Sequence, residues 1–140
     1  MKKLIFLFSL ILIISCATKK VATISSLYEI LTEQKDGGAS IQFYEMITEE
    51  KEINMLLNDN NLKNKIQAAD IKTANFVIVN AGKKAVGNNK IEIESVAETN
   101  NNIIIKIKKS ATANASDSNA NTVNPYIILK INSKKEIIFE

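Results

Sequence analysis

Chemistry near neutral pH leans on histidine for proton transfer, on activated cysteine or serine for nucleophilic attack, and on clustered ligands for metals. This chain of 140 residues has no histidine and one cysteine. All 18 of its basic residues are lysine, which supplies point charges but not the planar fork that grips phosphate or carboxylate at two points. A lone cysteine closes no internal disulfide and builds no thiolate zinc cluster. The remaining candidates are few. Glu49, Glu50 and Glu52 form a carboxylate cluster, but a solvated first helical turn accounts for them more simply. Ser110, Ser116 and Ser118 lie near Lys106, Lys108 and Lys109; a Ser–Lys dyad needs a buried lysine and a fixed hydroxyl, and Ser110 opens a low-complexity loop. Asp59-Asn60-Asn61 and Asp117-Ser118-Asn119 offer oxygen ligands without the spacing of a calcium loop. Gly82 and Gly87 serve a turn rather than a phosphate cradle, and the aromatic residues are too scattered to stack bases. The expectation is a protein that is not an enzyme, with no catalytic residue, no metal and no nucleic-acid partner.

The one cysteine has a different use. Lys2 and Lys3 precede an apolar run over residues 4–14, broken only by Ser9. That is the length of a signal h-region and well short of the roughly 20 residues that span a bilayer. The run ends in Ile13-Ile14-Ser15-Cys16, the pattern of a lipobox: aliphatic residue, small residue, cysteine. Residues 1–15 therefore read as a lipoprotein signal cut between Ser15 and Cys16, with covalent lipid on Cys16 as the only added group. An uncleaved anchor, or a plain signal with a chance cysteine, is the alternative. Two or three acyl chains at about 0.8 kcal/mol per buried CH₂ hold a protein on a membrane. Loss of the signal leaves 16 lysines against 15 acidic residues, a net charge of +1 instead of +3, so the basic balance is no sign of nucleic-acid binding. Ala17 after the cysteine, rather than aspartate, points to outer-membrane sorting in a cell with two membranes.

Residues 16–25 read as a lipidated tether and residues 26–140 as one domain. Leu27-Tyr28-Glu29-Ile30-Leu31 and residues 41–47 read as strands joined by Asp36-Gly37-Gly38 into a hairpin. Thr48 reads as a helix N-cap, with Glu49 and Glu50 in the first turn and Ile53, Leu56 and Leu57 as the core stripe. Leu62, Ile66 and Ala69 allow a further turn of helix. Phe76-Val77-Ile78-Val79 is a continuous apolar run, expected of a strand covered on both faces. Residues 90–96 and 103–108 alternate and form a hairpin with Glu92 and Glu94 opposite Lys106 and Lys108. Residues 126–131 and 136–139 complete the set. The expected fold is α+β, a mostly antiparallel sheet of six or seven strands with one main helix. The low-complexity loop over residues 110–124 is either disordered or a contact loop that orders on a partner.

These features resemble the C-terminal domain family of PrcB, a lipoprotein subunit of a bacterial surface protease complex. The resemblance spans Leu27 to Glu140. It rests on the early glycine turn, the acidic helix, the apolar strand ending in Gly82, the turn feeding Ile91-Glu92-Ile93, the segment Asn124-Pro125-Tyr126-Ile127-Ile128-Leu129-Lys130-Ile131, and the finish Phe139-Glu140. One departure stands out. Where the family has Thr-Gly-Gly-Tyr, this chain reads Val86-Gly87-Asn88-Asn89, keeping only Gly87.

The resemblance implies a non-catalytic, membrane-anchored interaction module of the bacterial envelope, accessory to an exported protease complex or another exported partner. The candidate partner contacts are Gly82, Gly87, Asn88, Asn89, Asn124, Pro125 and Tyr126, although a core tyrosine at a strand start also explains Tyr126. A small protease inhibitor that inserts its turn loops into a cleft is one alternative. A structural or ligand-binding envelope lipoprotein, drifted from the family role, is the other.

Overall fold

Two runs of β-branched and large apolar residues set the centre of the molecule, because strands covered on both faces gain most from them. In the computed structural model, which describes residues 26–87, 89–108 and 121–140, these runs are β3 (Asn75–Ala81) and β8 (Tyr126–Ile131). The expected signal with Ser15 and Cys16, the expected tether, Asn88, Lys109 and residues 110–120 of the expected loop lie outside the described residues.

β3 and β8 pair antiparallel at the middle of a four-stranded sheet. β1 (Tyr28–Gln34) flanks β8, and β2 (Gln42–Ile47) flanks β3. The expected hairpin between the first two strands is therefore corrected: β1 and β2 lie on opposite edges of the sheet. A glycine turn reverses the chain but does not choose a strand's neighbour, and here the more apolar β3 and β8 take the two central places.

A second sheet has three strands. β5 (Ile93–Glu98) and β6 (Asn102–Ile107) form the expected antiparallel hairpin, and β9 (Glu136–Phe139) runs parallel to β6. Glu92 and Lys108 meet across the hairpin at 2.8 Å, while Lys106 turns to Glu140 at 3.1 Å. Two short strands, β4 (Lys84–Ala85) and β7 (Thr122–Val123), pair with each other. β7 thus places the last residues of the expected 110–124 loop in regular structure. Seven strands have four or more residues, and the architecture is mostly antiparallel α+β.

The alternation of side chains along each strand sorts the core into two clusters. Val77, Val79, Ile127, Leu129 and Ile131 face the second sheet, where Ile103, Ile105 and Ile91 close the space. On the other face Phe76 and Ile128, with Leu31 and Ile47, pack beneath Leu62 and Ile66. Tyr44 of edge strand β2 stacks on Phe139 with ring centroids 4.5 Å apart, so the two sheets also join at their rim.

The helical layer is small. α1 (Glu50–Asn58) places Ile53, Leu56 and Leu57 on the second cluster, as its spacing predicts. Its N-cap is Glu49, not Thr48. The Glu52 carboxylate accepts the Glu49 N–H at 3.3 Å, the reciprocal half of a capping box that Thr48, one residue too early, is out of register to make. After a series of turns from Leu62 to Ile66, a second, one-turn helix α2 (Asp70–Thr73) appears where none was expected. It is tied to the sheet by an ion pair from Asp70 to Lys130, 2.8 Å long with only 13% of the lysine side chain and 21% of the aspartate side chain exposed.

Candidate functional site

The early glycine turn, the end of β3 with Gly82, and Asn124-Pro125-Tyr126 converge at one end of the four-stranded sheet. β1 ends at Gln34 beside Tyr126, β3 ends at Ala81, and β2 begins at Gln42 beside Ala81. Residues 35–41, 80–87 and 121–126 therefore share a cap of loops over that end.

Asn80 is the hub of this cap. It is 1% exposed, at the end of an apolar strand. Its Oδ1 accepts the Ala39 N–H at 3.0 Å, and its Nδ2 donates to the carbonyls of Ala39 at 2.9 Å and Ile41 at 2.5 Å. One amide thereby satisfies three backbone groups of a loop that has no ladder partner of its own.

Glycine is required at two close approaches. A Cβ on Gly38 would lie 2.1 Å from Asn80 Oδ1 and 2.8 Å from the Asn124 carbonyl oxygen. A Cβ on Gly82 would lie 2.8 Å from the Gln42 nitrogen, and its φ of +69° is itself in the left-handed region.

Backbone bonds lace the three segments together. Gly38 donates to the Asn124 carbonyl at 2.8 Å, Ala81 to the Pro125 carbonyl at 3.0 Å, Lys83 to the Ser40 carbonyl at 3.1 Å, and Val86 to the Asn121 carbonyl at 3.1 Å. The Asn124 N–H donates to Asp36 Oδ1 at 2.8 Å. That bond, with a second from the Gly37 backbone, holds the Asp36 carboxyl below its ordinary range.

This geometry divides the candidate contact residues. Gly82 and Pro125 are buried and shape the cap from within. Asn124 is half-buried, and Tyr126 packs against the second core cluster, the plainer of its two readings. Gly87 is exposed with φ +101°, and Asn89 is half-buried beside it, on the far side of β4 from the hub. Asn88 lies outside the described residues. The outward surface belongs to residues outside the candidate contact set: Ile41 is 69% exposed and Val86 60% exposed. No local signal marks Ile41, because it continues the apolar pattern of β2; an asparagine closing the apolar run of β3 is the one visible clue to Asn80.

The other candidates for chemistry stay apart or have structural work. Glu49 and Glu50 are exposed at the start of α1. Asp59 Oδ1 accepts the Asn61 N–H at 2.7 Å, an Asx turn that ends the helix rather than a cation loop. An open depression on the outer face of α1 is lined by Glu50, Lys51, Asn54, Met55, Asn58 and Asp59, all exposed, with no convergent buried polar group. Among the described residues no three of the histidine, cysteine or carboxylate side chains come together, and no helix is long and apolar enough to cross a membrane.

Compared with known proteins, the chain matches no protein-family model, no curated protein sequence and no solved structure.

Proposed function

We propose that the chain is a lipid-anchored envelope protein of bacteria, held by Cys16. Its domain is a non-catalytic module that docks on an exported protein, in the first instance a protease complex of the kind PrcB-like subunits serve. The observation that carries the docking reading is the cap. Three loops far apart in sequence are locked together by an asparagine hub and two obligatory glycines, and the result is an ordered backbone surface with two exposed aliphatic side chains, Ile41 and Val86. A surface already ordered before contact loses little entropy on binding, and Ile41 and Val86 add exposed apolar area to it. The altered turn at 86–89 is compatible with a changed partner within the same role.

A photo-reactive residue placed at Val86 in living cells is the test. The reading expects a reproducible adduct with an exported protein, lost when Ile41 is changed to glutamate while the thermal stability is kept. Absence of any exported-protein adduct from a folded, membrane-held protein contradicts it.

A second reading, a small protease inhibitor, draws on the pairing of β4 with β7, which fixes the turn after Ala85 on a short two-stranded base and bonds Val86 to Asn121. A turn held on a fixed base is a shape that enters a protease cleft. If the purified chain slows no envelope protease, that reading fails.

A further inference from the structure

We infer that the domain is polarised with respect to the membrane: it stands on the end built by residues 99–102 and 132–135 and presents the loop cap to the aqueous phase. This rests on the lipid-anchor reading of Cys16 and goes beyond it, because an anchor alone sets no orientation.

The chain enters the domain at Ser26 and Leu27, and the bonds there define one end of the molecule. Asn132 donates through its side chain to the Ser26 carbonyl at 2.6 Å and through its backbone to the Leu27 carbonyl at 2.9 Å. Asn75 donates to the Lys135 carbonyl at 3.0 Å, and Lys135 in turn reaches the Thr99 carbonyl at 2.6 Å and Glu98 at 2.9 Å. The entry point, the start of β3, the turn between β5 and β6 and the loop before β9 thus form a single face. β1 leaves this face at Tyr28, pairs along the whole of β8, and reaches the cap at Gln34. Its six steps, at about 3.3 Å each, put roughly 20 Å between the two ends.

The two ends differ in chemistry as well as position. The entry end exposes Thr99, Asn100, Asn101, Asn132, Lys134 and the carboxylates Glu98 and Glu136, and none of the large exposed apolar residues lies there. A polar face of mixed charge is compatible with zwitterionic headgroups, where apolar insertion is not needed because the acyl chains supply the affinity. The cap carries Ile41 and Val86. Ten residue steps from Cys16 to Ser26 span at most about 36 Å, and the entry end is joined to the anchor through those steps alone, whereas the cap is reached only through a further roughly 20 Å of sheet. In the inferred orientation a partner meets the cap from the aqueous side.

The test uses the full lipidated chain in vesicles of phosphatidylethanolamine and phosphatidylglycerol that carry a nitroxide on the lipid headgroup. The Cys16 sulfur is consumed by the lipid, so Asn100→Cys or Val86→Cys supplies the only free thiol for a fluorophore. The dye at position 100 is expected to be quenched several-fold more strongly than the dye at position 86. Equal quenching, or stronger quenching at 86, overturns the orientation and would mean that the aliphatic pair dips into the membrane. Flotation of each variant with the vesicles is measured in the same samples. If neither floats, the lipid-anchor reading has failed and the orientation falls with it; if both float and the quenching is equal, only the orientation has failed.

Discussion

Asn80 is the residue on which the candidate surface depends. An asparagine at the end of an apolar strand, 1% exposed, is tolerable only because its amide meets three backbone groups of residues 39–41. Asn80→Ala removes all three bonds at once and leaves the Ala39 N–H and two carbonyls without their partner. The expected cost is about 2–4 kcal/mol, read as a lowered urea midpoint with little change in slope. Gly38→Ala acts on the same hub from the other side, because its Cβ would lie inside contact distance of Asn80 Oδ1; a loss on the order of 2 kcal/mol is expected. A pair of near-neutral variants would show that the cap is not held as described. Neither residue was legible as a hub in the sequence. The glycine announced a turn, but what the turn touches is settled by Asn80, 42 residues after Gly38, and no local pattern encodes that distance.

At the scale of elements, the strands were legible and their neighbours were not. Continuous apolar runs over 76–79 and 127–129 report burial on both faces, and these are the two central strands. The β5–β6 hairpin was legible because alternation and opposite charges agree, and Glu92 does meet Lys108. The β1–β2 hairpin failed because edge and centre are decided by competition among all strands, not by the turn between two of them. α2 escaped notice because four residues carry no periodicity. Its attachment is electrostatic and makes a prediction. The Lys130 ammonium, bonded to the Asp70 carboxylate, holds that carboxyl below its ordinary range, and burial only partly opposes the effect. A carboxyl whose pKa is depressed on folding contributes stability that is complete above its unfolded value and is lost as pH falls through the folded one. Melting temperature is therefore expected to hold from neutral pH to about pH 5 and to fall below about pH 4. Asp70→Asn should cost about 1–2 kcal/mol at pH 7, and the gap from the parent should narrow by pH 3. A gap of the same size at both pH values would mean that the ion pair is not its source.

For the whole molecule, the proposed address is read from residues 1–16, before the described residues begin at Ser26. The loop cap is the surface on which the proposed docking role is placed. The proposed address is read from a local, contiguous pattern of charge, apolar length and one cysteine. The surface was not legible in that way, because it is assembled from three segments whose meeting depends on the fold. Both parts rest on Cys16, since a module that is never held at a membrane has no reason to be polarised. The direct test is metabolic labelling with radioactive palmitate, followed by membrane fractionation, for the parent and for Cys16→Ala. The parent is expected to carry label and sediment with membranes, and Cys16→Ala to carry none and remain in the soluble fraction. Undiminished label and membrane retention in Cys16→Ala would contradict the anchor and everything built on it.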